Sequence, residues 1–365
     1  MPLSCELNPA LATLPVYQPG RPIEEVAREL GLPARGIIKM ASNENPLGPS
    51  KAALAAIKTA ARNLHLYPDG NAFYFKQKLA AKLAVEQSNI ILGNGSNDIL
   101  EFLAHALVRP GVDVVMSQYS FLVYPLVTRL LGGNPVIVPA RDFGHDLPAM
   151  LAAITPQTRL MYVGNPNNPT GTLTSQEDIA WLMANKPKGS ILLLDEAYTH
   201  ITPTAPFNSA FVKDGKDVII LRTFSKIYGM AGMRAGAAMG RPDLLAKVDA
   251  YCQGNGMLPI TAMAAAYASL KDPNLVPERR KKIGDVRNDT LSFLDKHNFS
   301  FVPSVSNCFM VDVKKPGGQV AAALVQEKVV VGRVWRSWPN HLRVTVGLPE
   351  EMQKFQAAFL KVMSA

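Results

Sequence analysis

The chain is poor in the residues that staple, chelate or anchor a protein. Among 365 residues it has three cysteines, Cys5, Cys252 and Cys308, far apart, odd in number and without a CxxC pair. That excludes a disulfide framework and points to a reducing compartment, with the thiols serving as small core groups. The six histidines (His65, His105, His145, His200, His297 and His341) show no ligand spacing, so no metal site is expected. No apolar run approaches the roughly 20 residues that span a bilayer, and Ser190 to Leu194 reads as a buried strand. Met1 to Glu6 lacks a basic segment followed by an apolar core, so no secretory leader is read and the expected location is cytoplasmic. There is no internal repeat and no low-complexity segment. Charge of one sign is also short: 29 acidic residues face 38 basic ones, a net charge of +9. The basic residues are scattered, and the one run, Arg279 to Lys282, reads as a solvated helix face. Without an aromatic-interleaved basic ribbon, nucleic acid is not an expected partner. A basic balance of this kind suits phosphorylated small molecules.

What is present is a globular composition, 48% hydrophobic and 18% charged, long enough for one large domain and a smaller one. From about residue 88 to 240, short apolar runs alternate with helical patterns. The runs are Asn89 to Leu92, Val112 to Met116, Pro135 to Val138, Leu160 to Val163, Ile191 to Leu194, Val218 to Leu221 and Arg234 to Met239. Continuous apolar strands separated by helices predict an α/β fold with a mostly parallel, doubly wound sheet. After about residue 250 come long helical stretches, short strands and a last helix from Glu350, which read as a smaller α+β domain. The expected division is an N-terminal arm and part of the small domain over 1–44, a large domain over 45–250 and a small domain over 251–365. Ligands in such folds bind beyond the carboxyl ends of the strands.

Four strand ends carry polar clusters. Gly93-Asn94-Gly95-Ser96-Asn97 opens a helix, and free backbone N–H groups at a helix N-terminus attract anions. Asn165-Pro166-Asn167-Asn168-Pro169-Thr170-Gly171 is a stiff loop that holds Asn168 in one orientation. Asp195 ends an apolar strand, where a carboxylate is costly to bury without a cation. Lys226 follows the next strand, within Arg222-Thr223-Phe224-Ser225-Lys226-Ile227-Tyr228-Gly229-Met230-Ala231-Gly232-Met233-Arg234. An amine among cations and polar groups has a lowered pKa and forms a Schiff base with an aldehyde. Each cluster alone has a plain structural explanation: a turn, a helix cap, a surface lysine. Together, a Schiff-base lysine, a carboxylate for a pyridinium nitrogen and an anion site for a phosphate define pyridoxal 5'-phosphate chemistry.

The chain resembles the fold-type I aminotransferases, aspartate-aminotransferase-like in fold, and within them the histidinol-phosphate aminotransferase family. The marks are Tyr17 to Val26, Ser42-Asn43-Glu44-Asn45-Pro46-Leu47-Gly48-Pro49, Tyr67-Pro68-Asp69-Gly70, Gly93 to Ser96, Asn167 to Gly171, Asp195 to Tyr198, Ser225 to Arg234 and Leu342 to Gly347. The resemblance implies a homodimeric, pyridoxal-phosphate-dependent transaminase that moves an amino group from a donor, histidinol phosphate first among them, to 2-oxoglutarate in histidine biosynthesis. It implies Lys226 as the Schiff-base lysine and Asp195 as partner of the ring nitrogen. Asn168 and Tyr198 would donate to the cofactor's 3'-oxygen, and Tyr119 would stack on its ring. Gly95, Ser96, Thr223, Ser225 and Arg234 would form the phosphate cup, with Asn97 where the family often has Asp. Tyr67 would reach the phosphate in the partner subunit. Arg343 would clamp the substrate α-carboxylate beside Asn43 and Asn307, and Tyr17 and Arg333 would meet the substrate side chain or its phosphate. Two segments depart from the family pattern: Gly254 to Pro259, and Trp335-Arg336-Ser337-Trp338, where packing competes with an aromatic-lined side-chain pocket. Aminotransferases for aromatic or other amino acids, and lyases such as threonine-phosphate decarboxylase, share nearly every cofactor residue, so the donor and the bond broken stay open at this point.

Overall fold

A seven-stranded sheet carries the molecule, in the order β2-β8-β7-β6-β5-β3-β4. Its strands are β2 (Ile90–Gly93), β3 (Asp113–Ser117), β4 (Asn134–Val138), β5 (Thr158–Gly164), β6 (Ile191–Asp195), β7 (Val218–Thr223) and β8 (Gly236–Met239). All neighbours are parallel except β8, which runs antiparallel to both β2 and β7. The computed structural model describes residues 11, 14, 20, 22–31, 33–204, 208–251 and 257–364. Two short sheets complete the architecture: β1 (Ile38–Met40) pairs in parallel with β10 (Val329–Val331), and β9 (Cys308–Asp312) pairs antiparallel with β11 (His341–Thr345).

Side chains alternate across the central sheet, as the pleat requires. Met161, Val163, Leu192, Leu194, Val218 and Ile220 enter one core, while Leu160, Tyr162, Leu193, Ile219 and Leu221 enter the other. Both faces are therefore apolar, which is why these strands read as unbroken hydrophobic runs. The second core is closed by the helices Ser96–Leu107, Val123–Leu130 and Pro242–Tyr251, the first by helices such as Phe73–Leu83 and Gln176–Asn185. The helix Ile260–Lys271 packs on the helices Lys51–Ala60 and Phe73–Leu83, so residues beyond 250 also complete the core of the large sheet. No helix among the described residues is long and apolar enough to cross a membrane.

The basic run departs from its expected solvated placement. Arg279 is buried and donates from Nη1 to the Ile227 carbonyl at 3.0 Å, and Arg280 Nε donates to the His200 carbonyl at 2.9 Å. Lys281 alone of the paired residues in the run stays outside, bonded to Asp285 at 2.7 Å. A four-residue run covers more than a full helical turn, so it cannot all face water on a helix packed along one side.

Candidate active site

The carboxyl ends of the parallel strands open onto one cavity of about 410 Å³. Its wall contains Asn43, Ser96, Asn97, Asn168, Asp195, Tyr198, Thr223, Ser225, Lys226, Arg234, Arg333 and Arg343. The alternation of the sheet decides which groups arrive there. In register, Asp195 lies opposite Leu221, so Asp195 and Thr223 turn to the cavity, whereas Glu196 and Arg222 turn to the opposite face. There Glu196 and Arg222 form a buried ion pair 2.5 Å apart, and Asn208 Nδ2 donates to Glu196 Oε1 at 2.7 Å.

At one end of the cavity the helix Ser96–Leu107 begins without a side-chain cap, and its first residues Ser96 and Asn97 line the wall. Gly95 stands behind them with φ +91°; a Cβ there would lie 2.3 Å from Arg234 Nη2, so only glycine lets the guanidinium approach the helix start. The loop after β7 adds two hydroxyls: Thr223 Oγ1 donates to Ser225 Oγ at 3.0 Å and accepts from the Ser225 amide at 3.2 Å. Amides, hydroxyls and one guanidinium together form an anion cradle.

On the sheet side, Asp195 is buried. Tyr124 Oη donates to its Oδ2 at 2.7 Å and the Ala197 amide to its Oδ1 at 3.1 Å. Burial pushes the Asp195 carboxyl above the usual range, against the pull of those two bonds and of Lys226. Opposite, Lys226 Nζ donates to the carbonyls of Asn43 (3.2 Å) and Ser42 (3.4 Å). Burial first, then the Arg343 guanidinium, lower its amine to about 8. Tyr198 Oη accepts from Asn43 Nδ2 at 3.0 Å, and burial raises its phenol. Arg343 Nη1 donates to Asn168 Oδ1 at 2.9 Å and its Nη2 to the Ala41 carbonyl, while its Nε has no protein partner among the described residues. The Arg343 guanidinium lies 5.3 Å over the Trp335 ring, which also lines the cavity.

The remaining expected residues are placed differently. Asn307 is buried one layer out; its Nδ2 donates to the Asn43 carbonyl at 3.1 Å. Tyr67 is 92% exposed and does not belong to this chain's own cavity. Tyr17 lies outside the described residues, as do Gly254 to Gly256. Tyr119 is a correction: its ring stacks on Trp338 at 4.2 Å in a separate apolar cluster, and it does not line the cavity. Phe121, two residues later, lines it instead. Both rings sit in the same loop after β3, and Trp338 holds one of them away. The second tryptophan is thus packing, against Tyr119, Phe143 and His341, while Trp335 is wall. Sequence reading also missed Tyr124, whose only signal was an aromatic on an apolar helix face. It missed Lys39 and Glu44 too, which line the cavity as an ion pair at 3.0 Å.

The donor set fits pyridoxal phosphate. A helix N-terminus with three hydroxyls and an arginine suits the phosphate, a buried carboxylate suits the ring nitrogen, and a primary amine with lowered pKa suits the aldehyde. Arg343 Nε, without a protein partner among the described residues, and the glycine-floored cradle leave donors and room that suit a ligand.

The chain resembles known proteins over nearly its whole length. The family model for aminotransferase class I and II matches residues 35–359. Histidinol-phosphate aminotransferase 2 of Pseudomonas fluorescens is 41% identical over 363 residues, 98% of this chain and 97% of that protein. The histidinol-phosphate aminotransferase of Moorella thermoacetica is 39% identical over 97% of this chain and 92% of its own length. Among solved structures, the histidinol-phosphate aminotransferase of Sinorhizobium meliloti in complex with pyridoxal-5'-phosphate superposes with a TM-score of 0.88 at 27% identity, covering 100% of this chain and 99% of that one. The aspartate aminotransferase of Thermus thermophilus with maleate shares the fold, with a TM-score of 0.83 at 21% identity over 98% of this chain and 100% of its own.

Proposed function

The chain belongs to the class I and II aminotransferases, and on that footing we propose that it transfers the amino group of histidinol phosphate to 2-oxoglutarate, using pyridoxal 5'-phosphate as cofactor and acting as a homodimer. The single observation that carries the reading is Lys226 and Asp195 in the wall of one cavity that also holds a helix N-terminus and Arg343.

When bound, pyridoxal phosphate supplies an aldehyde for an amine and an electron-withdrawing ring that acidifies the carbon bearing the amino group. The chain's own groups do the rest. Ser96, Thr223, Ser225 and Arg234, with the amides of the helix start, hold the phosphate. Asp195, kept in place by Tyr124 and the Ala197 amide, holds the ring nitrogen in its protonated form. Tyr198 accepts from Asn43, which leaves its own O–H to donate to the 3'-oxygen; Asn168 accepts from Arg343 on Oδ1, which leaves Nδ2 to do the same. Phe121 takes the ring-covering part expected of Tyr119. Lys226, with an amine near 8, is neutral in about one molecule in ten at pH 7. Its Nζ is thereby suited to carry a proton to and from the reacting carbon. Arg343 clamps the α-carboxylate of 2-oxoglutarate and glutamate; histidinol phosphate has no such group and uses Arg333 for its phosphate. Exposed Leu64, Leu66, Tyr67, Phe73 and Tyr74 lie close in sequence. They supply the apolar surface by which a second copy docks and brings its own Tyr67 to the site.

A half-reaction screen tests this. The loaded enzyme is mixed with histidinol phosphate, glutamate, phenylalanine, tyrosine or threonine phosphate, and conversion of the cofactor to its aminated form is followed by absorbance. Histidinol phosphate and glutamate are the expected donors. Conversion by phenylalanine or tyrosine without histidinol phosphate would reassign the donor, and release of CO₂ from threonine phosphate would make the enzyme a lyase.

A further inference from the structure

The helix Leu275–Lys296 runs 22 residues along the side of the molecule, away from the cavity. Three of its arginines turn inward. Arg279 Nη1 donates to the Ile227 carbonyl at 3.0 Å, which also accepts from Asn45 Nδ2 at 2.9 Å. Arg280 Nε donates to the His200 carbonyl at 2.9 Å. Arg287 Nη1 donates to the Ser306 carbonyl at 3.3 Å. At about 100° per residue, positions 279, 280 and 287 fall within an arc of about 100° on one face.

Each of these carbonyls lies beside a site residue. Ile227 follows Lys226. His200 is two residues past Tyr198. Ser306 precedes Asn307, whose amide holds the Asn43 carbonyl at 3.1 Å, and that same carbonyl accepts from Lys226 Nζ at 3.2 Å. Both ends of Lys226 are therefore referred to one helix: its backbone through Arg279, and its amine through Asn43, Asn307 and Arg287. The Tyr198 loop is referred to it through Arg280. The three loops come from distant parts of the chain; Asn43, which bonds Lys226, Tyr198 and Asn307 alike, itself lies in a loop, whereas the arginines stand on a helix.

We propose that Arg279, Arg280 and Arg287 are positioning residues that act through backbone carbonyls to hold Lys226, Tyr198 and the Asn43–Asn307 pair in mutual register. None touches a reacting atom. The physical case is that misplacing a reacting group by about 1 Å costs on the order of 100-fold in rate, and a helix is stiffer than the loops it ties. A bidentate-capable guanidinium on a packed helix loses less freedom per bond than a flexible ammonium does. The rate effect rests on the proposed transamination; the placement of Lys226 does not.

The test compares Arg279→Met, Arg280→Met and Arg287→Met with Lys281→Met. The last removes a charge from the same helix but only an exposed pair with Asp285. In the full-length chain without cofactor, trace acetylation of Lys226 is measured against pH by mass spectrometry. In the loaded enzyme, kcat and KM for the donor are measured separately. Arg279→Met is expected to move the half-reaction pH of Lys226 upward by on the order of one unit as its surroundings admit water. It is expected to lower kcat about tenfold or more, with KM changed by less than about threefold. Arg279→Lys, which still reaches a single acceptor, restores part of both, and Lys281→Met leaves both as in the parent. An unchanged Lys226 profile in Arg279→Met, or an equal shift in Lys281→Met, would overturn the proposal. If Arg279→Met does not fold, Arg287→Met carries the same decision, because it releases the Ser306 carbonyl beside the Asn307 that holds the Asn43–Lys226 contact. The acetylation readout needs no cofactor, so its failure removes the positioning helix without touching the transaminase reading. A failed donor screen leaves the helix standing.

Discussion

Replacing Tyr124 by Phe removes one oxygen from the bond that most constrains Asp195. The ring keeps its place, because it is stacked on Tyr162 with centroids 4.3 Å apart and planes within 3°. What is lost is an O–H donated over 2.7 Å to a buried carboxylate. A hydrogen bond to a charged partner is worth about 1.5–3 kcal/mol, and about 1.4 kcal/mol corresponds to one pH unit. The O–H favours the ionised carboxylate. Its loss therefore raises the Asp195 pKa by about one to two units above a value that burial has already raised. The Ala197 amide and Lys226 remain to oppose the effect of burial. Only ionised Asp195 holds a protonated ring nitrogen, so the acid limb of cofactor affinity moves up by about one to two units. Affinity on that limb falls by about 10–100-fold. Equilibrium binding of pyridoxal phosphate between pH 4 and 9 reads this directly, and kcat against pH reads it a second time. Tyr162→Phe is the control, since the Tyr162 hydroxyl is buried without a protein partner among the described residues and its removal leaves the limb where it was. An unmoved acid limb in Tyr124→Phe, or an equal shift in Tyr162→Phe, would refute the assignment of Tyr124 to Asp195.

Three other perturbations have expected outcomes. Arg343→Ala lowers the glutamate half-reaction about 100-fold, the loss of a charge-assisted clamp, and lowers the histidinol-phosphate half-reaction much less; equal losses in stopped-flow traces would remove the α-carboxylate role. Arg222→Met leaves Glu196 buried without its cation and costs about 3–5 kcal/mol in urea unfolding, whereas a cost under about 1 kcal/mol would mean the pair does not hold the ends of β6 and β7. Lys226→Met stabilises the cofactor-free chain below pH 8, because the native amine titrates at about 8 against 10.5 ordinarily, a gap worth at most about 3 kcal/mol. Between pH 8 and 10.5 the unfolded wild-type chain binds more protons than the native one, so wild-type stability rises with pH and the advantage of the variant fades; a pH-independent difference would show that Lys226 is not destabilised by burial.

The legible part of the site lay at strand ends. β2, β6 and β7 each stop where an apolar run gives way to polar residues, and Ser96, Asp195 and Lys226 lie within a few residues of those stops. Such positions reach the cavity because parallel strands deliver their carboxyl ends to one edge. The strand Gly236–Met239 was legible as a strand but not as the antiparallel member of the sheet, since its length and composition are the same for either direction.

By itself, the sequence determined the alternation of strands and helices, the apolar faces of the sheet and the chemical kinds of group at its edge. These are local matters: period, turn residues and the type of side chain. The tertiary structure decided which of two neighbouring aromatics faces the cavity, Phe121 and not Tyr119, because Trp338 lies 219 residues away in sequence and claims the other ring. It decided that Tyr124 holds Asp195 across 71 residues, and that half of a basic run turns inward to tie loops around Lys226. Facing and partnership depend on which distant surfaces pack together, and no local pattern carries that information.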